Sequence, residues 1–368
     1  MAGAPPPLEI NPPLVNSASP WATTLDDLRR LYACPSTGAV TTRTSLINGF
    51  DHDPAKHQHA FFDATLTGST QNASLNSLGY SPLTLDTYLG FIKTISDEQP
   101  ARSSKGFIVS VTGTPEDIAT SYKLIVSASQ GVQLPLAMEI NLSCPNIPNQ
   151  PPPAYSEEAL TTYLTHLGQA IAETADQDNN NNNNTPRRIP VGLKTPPYTY
   201  TTQYLALISA LKKTADPSGM YPIISFITAT NTLGSCLLFT PPPPPPENQT
   251  STQPSPPTPT PTSFALPDPG IGGMAGAPLH PLALGNVRTI RRLLDEDEDE
   301  CARGGRGGLL LSLGRHVRVV GVGGVLDAAG YRRMRAAGAD VVGVATGLGV
   351  RGVEVFGEIE AGLGGARW

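Results

Sequence analysis

Basic segments, long apolar segments and clustered cysteines are all missing from this chain of 368 residues. Its formal net charge is −6, and without runs of lysine and arginine it lacks the basic face that nucleic-acid binding needs. No apolar run approaches the roughly 18 residues of a membrane-spanning helix, so no membrane partner is expected. The first residues show neither a signal-peptide nor a transit-peptide pattern, and we therefore expect a cytoplasmic protein.

Cysteine is also sparse. The chain has four cysteines at wide and irregular spacing, namely Cys34, Cys144, Cys236 and Cys301. Disulfide frameworks and zinc sites use paired or closely spaced cysteines, so the sequence predicts neither, and we expect no bound metal. Unpaired thiols of this kind are typical of a reducing compartment.

Short apolar runs alternate with helical patterns along the chain, as they do in successive βα units. Eight such runs predict eight strands, and eight strands with helices between them favour a (β/α)8 TIM barrel over an open sheet. The predicted class is α/β, with one barrel domain over residues 8–362 and an N-terminal extension. The predicted strands are 14–18, 38–42, 106–111, 136–141, 189–194, 223–228, 317–322 and 341–345.

Three segments of low complexity interrupt this pattern. An asparagine-rich insertion covers residues 178–186, and a proline-rich insertion that we expect to be disordered covers 240–267. The acidic and glycine-rich residues 295–308 are predicted to form a surface loop. A proline tract can dock into SH3 or WW grooves, but we favour a tolerated loop insertion as its explanation.

The sequence NLSCPN at 141–146 follows a predicted strand directly. Reactive residues of α/β barrels cluster where the strands end, and a thiol is readily converted to a base or nucleophile near neutral pH. Cys144 is therefore a candidate catalytic residue, flanked by Asn141 and Asn146, which could orient a polar substrate. A buried structural cysteine in a turn is the alternative. Further polar side chains follow other predicted strands, namely Lys194 and Asn231.

Glycine-rich sequences follow the last two predicted strands. GVGG at 321–324 precedes a helical pattern, and ATG at 345–347 follows the next strand. In α/β barrels the loops at these two positions commonly bind a phosphate through backbone N–H groups, and glycine permits the close approach. The two sequences together predict a phosphate-bearing cofactor or substrate.

These motifs together resemble the class 1 dihydroorotate dehydrogenase family over residues 8–352. NLSCPN is the most specific of them, because it carries the thiol within a match of six residues. The other matching segments, in chain order, are NSASPWA at 16–22, TTRTS at 41–45, LNSLG at 75–79, GLKTPPY at 192–198, TATNTLG at 228–234, GIGGMAG at 270–276, PLALGNVR at 281–288, GVGGV at 321–325 and VATGL at 344–348.

The resemblance implies an FMN-containing barrel that oxidises dihydroorotate to orotate in pyrimidine biosynthesis, with a soluble oxidant such as fumarate and a homodimeric assembly. The cysteine that matches Cys144 in such relatives is the base that removes the C5 proton of dihydroorotate, while the C6 hydrogen leaves as a hydride to flavin N5. Membrane-bound, quinone-using relatives have a serine base, so Cys144 excludes that subtype.

Site residues are carried over from the resemblance position by position. The implied catalytic residue is Cys144. The implied substrate-binding residues are Arg43, Asn76, Asn141, Asn146, Asn231 and Thr232. The implied cofactor-binding residues are Ala18, Ser19, Arg43, Lys194, Gly272, Gly273, Gly323, Gly324, Ala345 and Thr346.

Several positions depart from the family pattern. Arg43 stands where relatives have a lysine, and its planar fork differs from a compact ammonium. Tyr80 and Pro82 replace residues of the family sequence GLPN, which removes an asparagine that holds orotate, and Ala275 and Ala345 replace glycines. The substrate side has therefore changed more than the flavin side.

Three functions remain open at this point. The first is a class 1 dihydroorotate dehydrogenase with FMN. The second is an FMN oxidoreductase that acts on another cyclic amide or enone, which Arg43 and Tyr80 favour. The third is a non-catalytic flavin-binding scaffold that uses its proline tract, against which the retained Cys144 argues.

Overall fold

The computed structural model describes residues 4–65, 70–143, 152–180, 188–215, 221–240, 263–303 and 312–365. The strands of this part are β1 Leu14–Asn16, β2 Ala39–Thr41, β3 His59–Phe62, β4 Ala73–Asn76, β5 Gly106–Val111, β6 Leu136–Asn141, β7 Val191–Thr195, β8 Phe226–Ala229, β9 Leu233–Leu237, β10 Ile271–Gly276, β11 Arg318–Val322 and β12 Val341–Val344. Its α-helices are α1 Leu25–Ala33, α2 Leu85–Asp97, α3 Pro115–Ser129, α4 Glu157–Asn180, α5 Thr201–Lys213, α6 His280–Arg303, α7 Leu313–His316, α8 Ala328–Ala336, α9 Thr346–Arg351 and α10 Glu354–Gly362.

Eight parallel strands close into a barrel in the order β1-β12-β11-β8-β7-β6-β5-β2. The ring is closed where β1 pairs with β12, with Leu14 opposite Val342 and Asn16 opposite Val344. Each of the eight predicted strands overlaps one of these strands, so the predicted (β/α)8 fold is confirmed. Because all eight strands are parallel, their carboxyl ends meet at one rim.

The helices between the strands begin at side chains that cap their first turns. Thr24 accepts a hydrogen bond from the N–H of Asp27 at 3.1 Å, and the Asp27 carboxylate accepts from the N–H of Thr24 at 3.0 Å. Thr114 and Asp117 form the same capping box at the start of α3. Each such cap contributes about 1 kcal/mol, which fixes where the chain turns from the rim into a helix.

The inner face of the barrel changes from apolar to polar along the strands. Near the amino ends, the inward side chains form a small apolar cluster that includes Ile108, Ala137 and Phe226, and Leu8 packs against it from the N-terminal segment. Two residues further along two of these strands lie Glu139 and Ser110, both buried. The alternation of side chains along each strand thus closes one end of the barrel and makes the other end polar.

A second sheet, which the sequence did not predict, has the antiparallel order β3-β4-β10-β9. The strands β3 and β4 follow β2 in the chain, and β9 and β10 follow β8, so the chain reaches this sheet from the carboxyl ends of two barrel strands. Its strands are short, half-exposed or rich in glycine, which leaves no clear alternation to detect in the sequence.

The predicted loop at 295–308 is wrong for residues 295–303, which form the last turns of α6. Arg291 and Asp295 pair at i,i+4 in this helix at 2.7 Å. Asp297 is buried, accepts from the N–H of Leu313 at 2.8 Å and pairs with Lys212 at 2.6 Å. The acidic run therefore has a structural role, because one of its carboxylates joins α6 to the start of α7 and to α5.

The other predicted insertions also differ at their edges. Helix α4 continues to Asn180, beyond the predicted start of the asparagine-rich insertion. The proline-rich insertion is joined at its base, where the N–H of Thr240 donates to the carbonyl of Ser263 at 3.1 Å, and Leu266 is buried. Residues 181–187 and 241–262 lie outside the described part.

Lys105 lies just before β5, at the amino ends of the barrel strands, and its effect on stability can be tested. Its Nζ donates to the carbonyls of Leu31 at 3.0 Å and Cys34 at 2.6 Å, where α1 ends, and burial lowers its pKa from 10.5 to about 8. The unfolded chain therefore holds more protons than the folded one between those two values, so this lysine makes stability rise with pH in that window. We expect the difference in unfolding free energy between wild type and Lys105→Met to grow in favour of wild type from pH 8 to 10.

Chemical denaturation at several pH values measures this difference. Lys93→Met is the matched control, because Lys93 forms only an exposed pair with Asp97 and should show no such change. A difference between wild type and Lys105→Met that stays constant with pH would contradict the assignment.

Candidate active site

A groove lies at the rim where the barrel strands end. It consists of two adjoining cavities of about 720 and 420 Å³, their open mouths included. The walls shared by both cavities are Ala18, Asn231, Thr232, Ala275, Ala345 and Thr346, so the two form one continuous groove.

Most of the predicted site residues meet in this groove. The larger cavity is also lined by Ser19, Arg43, Asn76 and Asn141. The smaller one is also lined by Lys194, Gly323 and Gly324. The structure thus brings together residues that are separated by up to 328 positions in the chain, from Ala18 to Thr346.

Asn141 is the centre of the polar floor. Its Nδ2 donates to Thr44 Oγ1 at 3.0 Å, and its Oδ1 accepts from Asn231 Nδ2 at 3.2 Å and from Ser143 Oγ at 2.9 Å. The Asn231 side chain in turn accepts from the N–H of Thr232 at 2.8 Å. Both amides are therefore fixed in orientation by the protein itself, as a site for a polar planar ligand requires.

A buried carboxylate, which sequence reasoning missed, determines how Asn141 is oriented. Ser110 Oγ donates to Glu139 Oε1 at 3.1 Å, and Thr228 Oγ1 donates to Glu139 Oε2 at 2.7 Å. Because the Ser110 proton is used in this way, Thr44 must be the donor in the 2.9 Å bond between Thr44 and Ser110. Each hydrogen bond in the series Asn141, Thr44, Ser110 and Glu139 is therefore donated toward Glu139. Because the Asn141 nitrogen is the donor to Thr44, its oxygen must face Asn231.

Two buried cations line the groove. Lys194 is 3% exposed, and its Nζ donates to Ser17 Oγ at 3.0 Å. Arg43 is 9% exposed and donates to the carbonyls of Gly79 at 3.3 Å and Tyr80 at 3.1 Å, and burial lowers its pKa. Within the described residues no carboxylate lies within 4 Å of either cation, so both charges are available to an anionic ligand.

The glycine-rich loop after β11 forms a narrow wall. Gly323 and Gly324 have φ of +136° and +68°, which side chains rarely adopt. A Cβ on Gly324 would lie 2.6 Å from the carbonyl oxygen of Gly276. Nearby, Thr346 Oγ1 is held by Ser74 Oγ at 3.1 Å, and the buried Ser19 Oγ has no partner among the described residues. These features fit a phosphate-bearing ligand that approaches the backbone closely.

Two aromatic residues of the groove, Trp21 and His59, were not predicted. Trp21 stacks on Phe61 with ring centroids 5.5 Å apart, and His59 meets the edge of Trp21 at 5.9 Å. Trp21, His59 and Tyr80 line the larger cavity. Trp21 lies within the matching sequence NSASPWA, which could have indicated that it belongs to the site. His59 belongs to the sheet that the sequence did not predict.

Related proteins were identified by sequence comparison. The chain is 26% identical over 351 residues to dihydroorotate dehydrogenase (fumarate) of Trypanosoma cruzi, which covers 95% of this chain and 87% of that protein. It is 23% identical over 347 residues to dihydroorotate dehydrogenase A (fumarate) of Lactococcus lactis subsp. cremoris, covering 94% and 88%. Over most of its length the chain is therefore similar to fumarate-using dihydroorotate dehydrogenases. No protein-family profile matches it.

Solved structures of similar fold agree with the barrel architecture. Ligand-free dihydroorotate dehydrogenase of Eimeria tenella superposes with a TM-score of 0.63 at 15% identity, over 95% of this chain and 83% of that one. The same enzyme in complex with ferulenol gives a TM-score of 0.61 at 14% identity. At this identity the superposition establishes the barrel architecture.

Some predicted site residues are not placed in the groove. Cys144 and Asn146 lie outside the described residues. Gly272 and Gly273 belong to β10 and pack on β4, where the Gly273 carbonyl accepts from Asn76 Nδ2 at 3.1 Å. The groove is lined instead by the last two residues of that strand, Ala275 and Gly276. Pro82 is exposed and is not among the residues that line the groove.

Two classes of site are not found in the part of the chain that is described. None of its helices combines the length and the apolar character needed to cross a bilayer. Its histidines, cysteines and carboxylates nowhere gather in threes as metal ligands would.

Glu139→Gln tests the directed chain of hydrogen bonds. An amide has one accepting oxygen, so its nitrogen would face a hydroxyl that already donates, and the bonds toward Asn141 would reverse or break. We expect the free energy of unfolding to fall by about 1–3 kcal/mol, measured by chemical denaturation.

Glu173→Gln is the control, because Glu173 forms only an exposed pair with Lys123 and should change stability by less than about 1 kcal/mol. Equal effects of the two substitutions would show that Glu139 does not hold the floor of the site.

Proposed function

We propose that this protein is an FMN-dependent oxidoreductase that oxidises dihydroorotate to orotate, with fumarate as the oxidant, in pyrimidine biosynthesis. The observation that carries the proposal is the groove itself. It joins a fixed pair of amides, two buried cations and a glycine-rich wall in a chain whose relatives are named dihydroorotate dehydrogenase (fumarate).

The residues present fit FMN. The glycine-rich wall at Gly323 and Gly324, together with Thr346, would hold the phosphate, and Ser19 would bond the flavin with its unpartnered hydroxyl. Lys194, a buried ammonium with one neutral partner, would lie beside the ring, where a cation favours negative charge. When bound, FMN supplies a ring that accepts a hydride from the substrate.

Binding of dihydroorotate would use the other end of the groove. The substrate combines a cyclic amide system with a carboxylate, and the amides of Asn76, Asn141 and Asn231 offer matching donors and acceptors. Arg43 would pair with the carboxylate through the part of its guanidinium not used by Gly79 and Tyr80.

Cys144 is the proposed base. A thiolate at that position would remove the proton from C5 of the substrate. The residue before it, Ser143, is buried and bonded to both Asn141 and Asn231, so the segment that carries Cys144 starts at the floor of the groove.

We further propose a cytoplasmic homodimer, by analogy with the simpler class 1 subtype that the motifs resemble. The chain has no cysteine cluster for an iron-sulfur centre of its own.

A different substrate is the second candidate. Arg43 and Tyr80 both line the groove, and they differ from the lysine and the smaller apolar residue that the family sequence implies. A larger phenol and a planar cation would suit another cyclic amide or enone, which the same cofactor could oxidise.

Lys194→Met tests the cofactor site with two measurements that should move in opposite directions. Removing a buried charge with one neutral partner should leave the stability of the FMN-free protein unchanged or raise it. The same change should reduce FMN content after purification and weaken FMN binding at least several-fold.

The flavin released from the purified protein is identified by chromatography, and the affinity for FMN is measured by quenching of flavin fluorescence. Lys123→Met, which removes an exposed lysine, should alter neither the FMN content nor the affinity for FMN. Full FMN retention by Lys194→Met would remove this lysine from the cofactor site, and FAD in place of FMN would contradict the proposed cofactor.

Anaerobic mixing with dihydroorotate tests the substrate. We expect the flavin absorbance of wild type to bleach in a stopped-flow experiment. Cys144→Ala should keep FMN and bleach slower by a factor on the order of 100 or more, the usual contribution of a positioned base. Cys144→Ser should recover part of the rate only at high pH.

The double substitution Arg43→Lys with Tyr80→Leu distinguishes the two candidate substrates. If wild type fails to bleach with dihydroorotate and the double variant bleaches, the second candidate is correct, and the pocket walls explain why. Failure of both proteins, each loaded with FMN, would contradict dihydroorotate as the substrate.

A further inference from the structure

Two side chains lie behind the glycine-rich wall and outside both cavities. His280, the first residue of α6, is 8% exposed, and its Nδ1 lies 2.7 Å from the carbonyl oxygen of Gly323. Arg333 of α8 donates from Nε to His280 Nε2 at 3.0 Å. Because a guanidinium can only donate, His280 Nε2 must accept, and the single ring proton must lie on Nδ1 and point at Gly323.

This contact determines how the peptide between Gly323 and Gly324 faces. In a trans peptide the C=O and the N–H point in opposite directions. With its C=O held toward His280, the peptide directs the N–H of Gly324 away from α6, the side on which the cavity lies. Within the described residues this N–H has no acceptor, so it is available to a ligand.

The charges around His280 make this arrangement sensitive to protonation. Three groups face the ring: Arg333 of α8, Asp327, which caps the start of α8, and the Gly323 carbonyl of the glycine-rich loop. Burial lowers the pKa of His280, Arg333 lowers it further, and the Gly323 carbonyl and Asp327 oppose the shift. A proton on Nε2 would leave the Arg333 Nε–H without an acceptor and place two cations side by side.

We propose that Arg333 and His280 are positioning residues for the cofactor phosphate, which together hold the Gly324 N–H toward it in the neutral state of His280. The inference rests on the proposed function, since it takes FMN as the ligand. Protonation of His280 turns Nε2 from an acceptor into a donor that faces the Arg333 guanidinium, and the repulsion between the two cations displaces the ring from the Gly323 carbonyl and weakens FMN binding. Acidification therefore releases the cofactor through a group that touches neither the flavin nor the substrate.

The test measures the dissociation constant of FMN by fluorescence quenching between pH 5.5 and 8. His280→Leu, which removes the donor, should weaken binding roughly ten-fold at pH 7.5 and keep only the shallow pH dependence that comes from the FMN phosphate itself, whose second pKa is about 6. His280→Asn should bind within roughly three-fold of wild type, because its amide nitrogen can replace Nδ1, and it should show only that same shallow dependence. Arg333→Met should move the acidic loss of FMN to lower pH, because protonated His280 then meets no second cation and still donates from Nδ1 to the Gly323 carbonyl.

Arg332→Met is the matched control. Arg332 is the neighbouring arginine on α8, and among the described residues it bonds only the carbonyls of Gly362 and Leu363, so it should follow the wild-type pH profile. If His280→Leu does not fold, the shift in Arg333→Met and the shallow profile of His280→Asn still test the positioning role.

The outcomes separate the two proposals. Wild type that binds FMN, with variants that share its affinity and pH profile, would overturn the positioning role alone. Wild type that binds no FMN at any pH would overturn the proposed function and this inference with it.

Discussion

Closure of the barrel between β1 and β12 is the constraint on which the rest of this structure depends. Once Leu14 pairs with Val342, the eight parallel strands form a ring, and their carboxyl ends must share one rim. Side chains from distant parts of the chain then face one another across that rim. Ser17 and Lys194, which are 177 positions apart, form a hydrogen bond for this reason alone.

The change from apolar to polar along the inner face turns this geometry into a site. Near the amino ends of the strands, the inward residues pack as a core. One layer closer to the carboxyl ends, Glu139 accepts hydrogen bonds from two hydroxyls and orients Asn141. A carboxylate buried without such donors would be costly, so its hydrogen bonds stabilise the barrel and also hold Asn141 in place. The two insertions that follow β2 and β8 then meet as a sheet and add Asn76 and Ala275 to the walls.

The strands and helices of the barrel were predictable because each is a local pattern. The run 106–111 is apolar and bounded by turn residues, and it is a strand over the same residues in the structure. The sheet formed by β3, β4, β9 and β10 was not predictable, because its strands of four to six residues are glycine-rich or half-exposed and are stabilised by partners far away in the chain. The acidic run at the end of α6 was misjudged because its burial depends on Lys212 and on the N–H of Leu313.

The sequence by itself determined the barrel class, the order of the strands along the chain and the residue types that carry the chemistry, since periodicity and motifs are properties of neighbouring residues. It also placed Lys194, Asn231 and the two glycine-rich loops at strand ends. Only the tertiary structure decided which of these residues meet, that Ala275 and Gly276 line the groove in place of Gly272 and Gly273, and that Glu139, His280 and Arg333 support the site from behind. Contacts of that kind depend on distance in space, which a linear pattern does not contain.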